Sequence, residues 1–234
     1  MPIHFDIITG GTGEVKMKNI VKADFSLNGW NERDWLVFKS HRFDYVHGFR
    51  QESDHIVNES PEGMSDEELY RDHVTEVYSA LVRPEKLTGS IEVSSTMSFD
   101  HLMAPVISLT PELEKDDAGN FVFHRHVEVV LYNEGINVWH YYWETGRLSW
   151  YLAAFARAPF EPKKRHELKV KVQPGRFHPR MTIECGSVKF GYENAEIPSA
   201  FHAGITGCEG RCRFYDFAMS TGDEKVDFAA DGEH

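Results

Sequence analysis

The 234-residue sequence has no apolar run near the roughly 20 residues that a membrane-spanning helix requires; Tyr151 to Ala156 is among its longest. Its N-terminus, MPIHFDIITGG, lacks a basic segment leading into a continuous apolar one, so no secretion signal is expected there. Cysteine is scarce. Cys185, Cys208 and Cys212 are an odd number, too few for a secreted disulfide framework. A cytoplasmic protein with reduced thiols is the expectation. Positive charge is also in deficit, with 25 Lys and Arg against 37 Asp and Glu and a formal net charge of -12. No basic stripe reverses that field locally, and Lys163, Lys164 and Arg165 read as a solvated turn. Nucleic acid and anionic membranes are therefore not expected partners. There is no P-loop, no dinucleotide fingerprint and no Gly-x-Ser-x-Gly elbow, which removes the visible basis for nucleotide chemistry and serine hydrolysis. Linkers and internal repeats are missing too, so residues 1–220 are expected to form one domain, followed by an acidic tail over 221–234.

Helical periodicity is almost absent. The segment Ser65 to Val77, with Ser65 as N-cap ahead of Asp66, Glu67 and Glu68, is the one helical candidate. Strand patterns fill most of the rest. Gly89 to Phe99 alternates Ile91, Val93, Ser95, Met97 and Phe99 against a polar set, and His124 to Tyr132 places Val127, Val129 and Leu131 on one face. Asn133-Glu134-Gly135 marks a hairpin turn into Ile136 to Trp143, and Glu144-Thr145-Gly146 marks another into Leu148 to Phe155. Glu167 to Val172, a hairpin around Gly186, Phe201 to Thr206 and Arg213 to Met219 complete the set. Hydrophobic residues at 41% and aromatics at 13% suffice for a large core. The predicted fold is all-β: a two-sheet antiparallel β-sandwich of jelly-roll type with one short helix.

The chemistry-bearing residues concentrate around the first hairpin. In a strand, His124, His126 and Glu128 project from one face at steps of about 7 Å, opposite the continuously apolar face. Glu128 and His126 are candidate catalytic groups, and His124 a binding group; the competing interpretation is a polar, solvent-facing strand face. The next strand offers Asn137, Trp139, His140, Tyr141, Tyr142, Trp143 and Glu144. Aromatic faces beside hydroxyl-binding groups suit sugar rings, with their apolar C–H faces and polar edges. Alternation lets only half of these residues face a groove: either Trp139, Tyr141 and Trp143, or His140, Tyr142 and Glu144, the other set joining the core. Glu144 is the natural second carboxylate to Glu128 for glycosidic cleavage. The stretch from His41 to Arg50, with His47 as its binding candidate, would border the groove or form a charged surface strand; His101 is a loop-edge candidate. Cys208 and Cys212 have a spacing that invites zinc with Cys185 and His202, but only one such pair occurs, so a turn between the final strands is expected, with Arg211 or Arg213 near the groove.

The order of these elements resembles a known group. The strand His126-Val127-Glu128-Val129, the segment Glu167 to Val172, Phe201-His202-Ala203-Gly204-Ile205-Thr206-Gly207 and the closing Arg213-Phe214-Tyr215-Asp216-Phe217-Ala218-Met219 look like the concanavalin A-like lectin/glucanase superfamily. The likeness is greatest to its bacterial galectin-like and 3-keto-disaccharide-hydrolase-type domains, and covers roughly Ser79 to Met219. The glucanase Glu-x-Asp-x-x-Glu strand is absent, since Val129, Val130, Leu131 and Tyr132 follow Glu128. The galectin His-x-Asn-Pro-Arg strand is absent as well, although Trp143-Glu144 with Arg147 is similar to its later part. The resemblance implies a concave sheet that binds a saccharide or glycoside, and calcium at Asp216, where a cross-strand hydrogen-bond acceptor is the alternative. Three readings follow: a carbohydrate-active protein that binds and cleaves; a non-catalytic sugar-binding or partner-subunit sandwich, with room for an oligomer; and a metal-dependent enzyme centred on His124 and His126.

Overall fold

A computed structural model describes residues 17–42, 48–59, 63–71, 77–102 and 104–222. Among them the strands are β1 (Lys18–Asp24), β2 (Leu36–Lys39), β3 (Phe49–Gln51), β4 (Ile56–Asn58), β5 (Tyr78–Val82), β6 (Leu87–Thr88), β7 (Ser90–Phe99), β8 (Ala104–Thr110), β9 (Glu114–Lys115) and β10 (Phe121–Val122). They continue with β11 (Arg125–Tyr132), β12 (Gly135–Glu144), β13 (Arg147–Arg157), β14 (His166–Gln173), β15 (Arg180–Cys185), β16 (Val188–Glu193), β17 (Ala200–Cys208), β18 (Cys212–Phe214) and β19 (Asp216–Gly222). The front sheet runs β13-β12-β11-β8-β17-β5-β2-β10-β9, with β6 on β17; the back sheet runs β16-β15-β14-β7-β18-β4-β3, with β19 joining β7 to β1. Every pairing is antiparallel except β10 with β2.

The period-two patterns build the space between the sheets. Ile91, Val93, Met97 and Phe99 of β7 and Leu168, Val170 and Val172 of β14 pack in one cluster with Ile107 and Leu109 of β8, Val127, Val129 and Leu131 of β11, and Ala203 and Ile205 of β17. All of them are buried, and each large aliphatic side chain removed from water contributes about 1.5–3 kcal/mol. A second, smaller cluster lies on the far face of the front sheet. Phe38, Tyr78, Ala80, Val82, Val106, Phe123 and Cys208 form it, so that face is covered at one end and open at the other.

Two glycines are set by local geometry. Thr145 (φ 52) and Gly146 (φ 77) both adopt left-handed backbone, the two-residue turn that matches strand twist and joins β12 to β13. A Cβ at Gly204 would lie 2.0 Å from the Leu81 carbonyl oxygen, so β17 can approach β5 this closely only without a side chain there.

The one short helix expected from the sequence is present among the described residues. α1 spans Asp66–Arg71, and its start is a reciprocal capping box: Glu68 N–H donates to Ser65 Oγ (3.2 Å) and Ser65 N–H to Glu68 Oε2 (2.8 Å). Residues 72–76 lie outside the described residues. The single final strand expected over Arg213 to Met219 is in fact two, β18 and β19, interrupted at Tyr215. Thr221 and Gly222 are paired with β7.

Candidate functional site

The pairing of β11 with β12 decides which side chains share a face. Val127, Val129 and Leu131 stand opposite His140, Val138 and Ile136, all on the core side. Glu128, Val130 and His126 stand opposite Trp139, Asn137 and Tyr141, on the far face of the front sheet. On β13, Trp150, Leu152 and Phe155 continue that face beside Tyr141, Trp139 and Asn137. Ile136 and Val138 fix the choice: with two aliphatic side chains committed to the core, the odd-numbered positions must turn outward.

Glu128 is the centre of this face. It is 4% exposed, and its Oε1 accepts hydrogen bonds from the Tyr78 hydroxyl at 2.8 Å and from His126 Nε2 at 3.2 Å. Burial works against its charge, but the His126 hydrogen bond and charge, the Tyr78 hydroxyl and the Arg42 guanidinium outweigh burial and hold the carboxyl below the usual range. The same arrangement, read from the other side, keeps its neighbours protonated. Burial first and the Glu128 charge second push both the Tyr78 and Tyr141 hydroxyls well up. Burial likewise keeps Cys208 a thiol. The site therefore presents an ionised carboxylate beside the neutral side chains of Tyr78, Tyr141 and Cys208. A carboxylate has about four acceptor positions; Tyr78 and His126 donate to Oε1, and the Tyr141 hydroxyl is hydrogen-bonded to the same carboxylate.

Rings cross the face in a continuous row. Phe38 meets Phe121 at 5.5 Å and Phe123 at 4.6 Å; Phe123 meets His126 at 4.4 Å, His126 meets Tyr141 at 4.7 Å, and Tyr141 meets Trp150 at 6.4 Å. Beside this row lies a cleft of about 450 Å³, within the range of small-molecule sites. Glu128, Asn137, Trp139, Tyr141 and Trp150 line it from β11, β12 and β13, together with Cys208, Glu209 and Arg42.

The residues singled out from sequence are distributed unevenly. Glu128, Asn137 and Trp139 line the cleft; Trp139 is half-buried there and is not part of the inter-sheet core. His126 adjoins Glu128 on the same face. Neither is solvent-facing: at 5% and 4% exposed they are covered by Phe123, Tyr78 and Tyr141. His124 does not extend the row, because β11 begins at Arg125; its ring stacks on His41 at 4.9 Å and its Nδ1 bonds Glu114. His140 and Tyr142 point to the other side of β12. There His140 Nε2 pairs with the Tyr192 hydroxyl at 2.8 Å, and the Tyr142 and Tyr151 hydroxyls both donate to Glu196. Burial drives the His140 pKa down to about 4. Glu144, at the exposed end of β12, is five positions beyond the residue opposite Glu128, roughly 17 Å along the strand, too far for a catalytic carboxylate pair.

Arg213 is in the back sheet, because the Cys208–Cys212 turn carries the chain from β17 across to β18; its guanidinium grips Asp100 at 2.6 and 3.0 Å. Asp216 accepts from Thr96 N–H at 2.7 Å, the cross-strand role, and among the described residues no three His, Cys, Asp or Glu side chains converge as a metal site. His47 lies outside the described residues. Sequence reasoning missed Tyr78 and assigned no cleft role to Cys208 or Glu209. Tyr78 begins the strand Tyr78–Val82, whose uniformly buried side chains give no alternation to read.

No family model and no curated protein matches the sequence. Solved structures do match in shape. β-Agarase A from Zobellia galactanivorans aligns over 90% of this chain and 94% of its own, with a TM-score of 0.61 at 8% identity. The fold is a concanavalin A-like sandwich. A Bacillus subtilis protein of unknown function with a galectin-like fold covers 89% of this chain and 99% of its own (TM-score 0.57, 12% identity). A seed lectin isoform from Lotus tetragonolobus covers 87% and 99% (TM-score 0.53, 9% identity). At these identities the concanavalin A-like likeness is one of backbone architecture, and the cleft residues stand on their own chemistry.

Proposed function

We propose that this protein binds a neutral saccharide in the cleft of the front sheet. The observation that carries the reading is the placement of a buried, ionised Glu128 beside the half-buried Trp139 and the 57% exposed Trp150. A carboxylate accepts from sugar hydroxyls, and indole faces take the apolar C–H side of the ring. Three carboxylates, Glu128, Glu134 and Glu209, line the cleft against one guanidinium, Arg42, which disfavours anionic sugars. The structural likeness to a lectin and to an agarase is in keeping with this ligand class. Glu128 acts here as a hydrogen-bond acceptor. A general acid for glycoside cleavage needs a raised pKa, and the Glu128 carboxyl is lowered.

The test is calorimetric titration of the protein with neutral oligosaccharides, repeated on Glu128→Gln with folding checked by circular dichroism. Hydrogen bonds to a charged group contribute about 1.5–3 kcal/mol, so a loss of at least about tenfold is expected. Unchanged affinity in the folded variant sinks the proposal. A second reading, hydrolysis, is favoured by one observation: Glu209 lines the same cleft as Glu128. New reducing ends released from the bound oligosaccharide, and abolished by Glu209→Gln, would establish it.

A further inference from the structure

The cleft is closed at one end. On the far face of the front sheet, the row of rings from Phe121 through Phe38, Phe123, His126 and Tyr141 to Trp150 runs from β10 to β13 across the line of the strands. Its middle is solid: Phe38 and Phe123 are 1% exposed, and His126 and Tyr141 are buried behind Glu128. The other end is different. Leu102 precedes β8, Asn133 and Glu134 follow β11, and Glu209 follows β17, so all four rim the cleft at one end of the sheet. The mouth is at that rim, and the floor ends at Glu128 against the rings.

An apolar stripe runs beside the cleft from the rings towards the mouth, and of its residues Trp150 lines the cleft itself. Trp150, Leu152 and Phe155 stand beside Tyr141, Trp139 and Asn137, a stripe of roughly 17 Å along the edge strand β13. Their exposures of 57%, 40% and 60% mean that none is needed in the core. A stripe this long beside a blind cleft is more apolar surface than a single sugar ring would cover.

We infer that the cleft reads the end of a neutral saccharide chain and not its middle, an inference that rests on the saccharide reading above. The terminal unit sits against Glu128 and Trp139, and the units behind it lie along Trp150, Leu152 and Phe155 towards the mouth. A chain running on past its terminal unit would meet the buried rings of Phe123 and His126.

The experiment has two stages. Linear neutral oligosaccharides of one to six units, built from glucose, galactose, mannose, xylose and fructose, are titrated calorimetrically into the full chain. The tightest binder is then titrated again with each end in turn carrying a bulky fluorophore, and its longest member is titrated into Phe155→Ala. Three results together support the inference: affinity that rises with length and levels off, a loss of at least about tenfold from blocking one end with the other end tolerant, and a several-fold loss in Phe155→Ala that a disaccharide does not register. If both ends tolerate the fluorophore, the cleft accepts mid-chain sugars and the inference is wrong while the saccharide reading stands. If Phe155→Ala lowers the sedimentation mass and leaves every affinity unchanged, the stripe joins two copies of this chain and the proposed path is wrong. If no member of the series binds, the saccharide reading itself fails and takes the inference with it.

Discussion

Tyr78 donates its hydroxyl to Glu128 Oε1 at 2.8 Å across a front sheet in which β17 and β8 separate their strands. Both side chains are buried, and the bond ties the covered end of the sheet to the cleft floor. Tyr78→Phe removes one of the two donors to that buried oxygen. The variant should lose about 1–3 kcal/mol of stability in denaturant unfolding, with the native far-ultraviolet spectrum retained. It should also raise the Glu128 pKa, since one of the groups holding it down is gone, and carbon-detected NMR of the carboxyl reads that directly.

Trp150 separates binding from stability. Its ring is 57% exposed and meets only the edge of the buried ring row, so Trp150→Ala should change unfolding free energy by less than about 0.5 kcal/mol. Loss of one aromatic face should still weaken saccharide binding by about fivefold, in keeping with roughly 1 kcal/mol for such a contact. A stable variant with unaltered affinity would remove Trp150 from the platform.

On the other side of β12, His140 is held neutral by burial, with the Tyr192 hydroxyl on Nε2 and Tyr142, Tyr151, Glu196 and Arg125 around it. Glu196 raises and Arg125 and His126 lower its pKa, and burial dominates. The folded pKa is about 4 against 6.5 for the free group, so the unfolded chain binds the extra proton between those values. Stability from this group is complete above pH 6.5 and is lost as pH falls to about 4. Thermal unfolding across that window should show the decline, and His140→Asn should flatten it.

The local elements were legible because period-two alternation is a property of the chain itself. β7, β11 and β14 carry their apolar sets in sequence, and the turns at Asn133-Glu134 and Thr145-Gly146 punctuate the hairpins. The facing of β12 was half legible: Ile136 and Val138 point it, but from residue 139 to 143 aromatics and His140 occupy both faces and erase the alternation. Glu128 could be found from its own strand. Its partners could not, since Tyr78, Arg42 and Cys208 reach it only through the order β11-β8-β17-β5-β2 and the curl of the sheet, which no local pattern encodes. Arg213 failed for the same reason in reverse: the turn before it changes sheets.

The five tryptophans provide the most direct test of where a ligand sits. Trp139 and Trp150 line the cleft, whereas Trp30 and Trp35 pack together at 6.3 Å beside Phe25, away from it. Indole N–H signals should be followed by nitrogen-15 NMR while the tightest neutral oligosaccharide is added. The Trp139 and Trp150 signals should move in step with occupancy while those of Trp30 and Trp35 stay fixed. Saturable binding that leaves Trp139 and Trp150 still, or that moves Trp30 and Trp35 instead, would contradict the account.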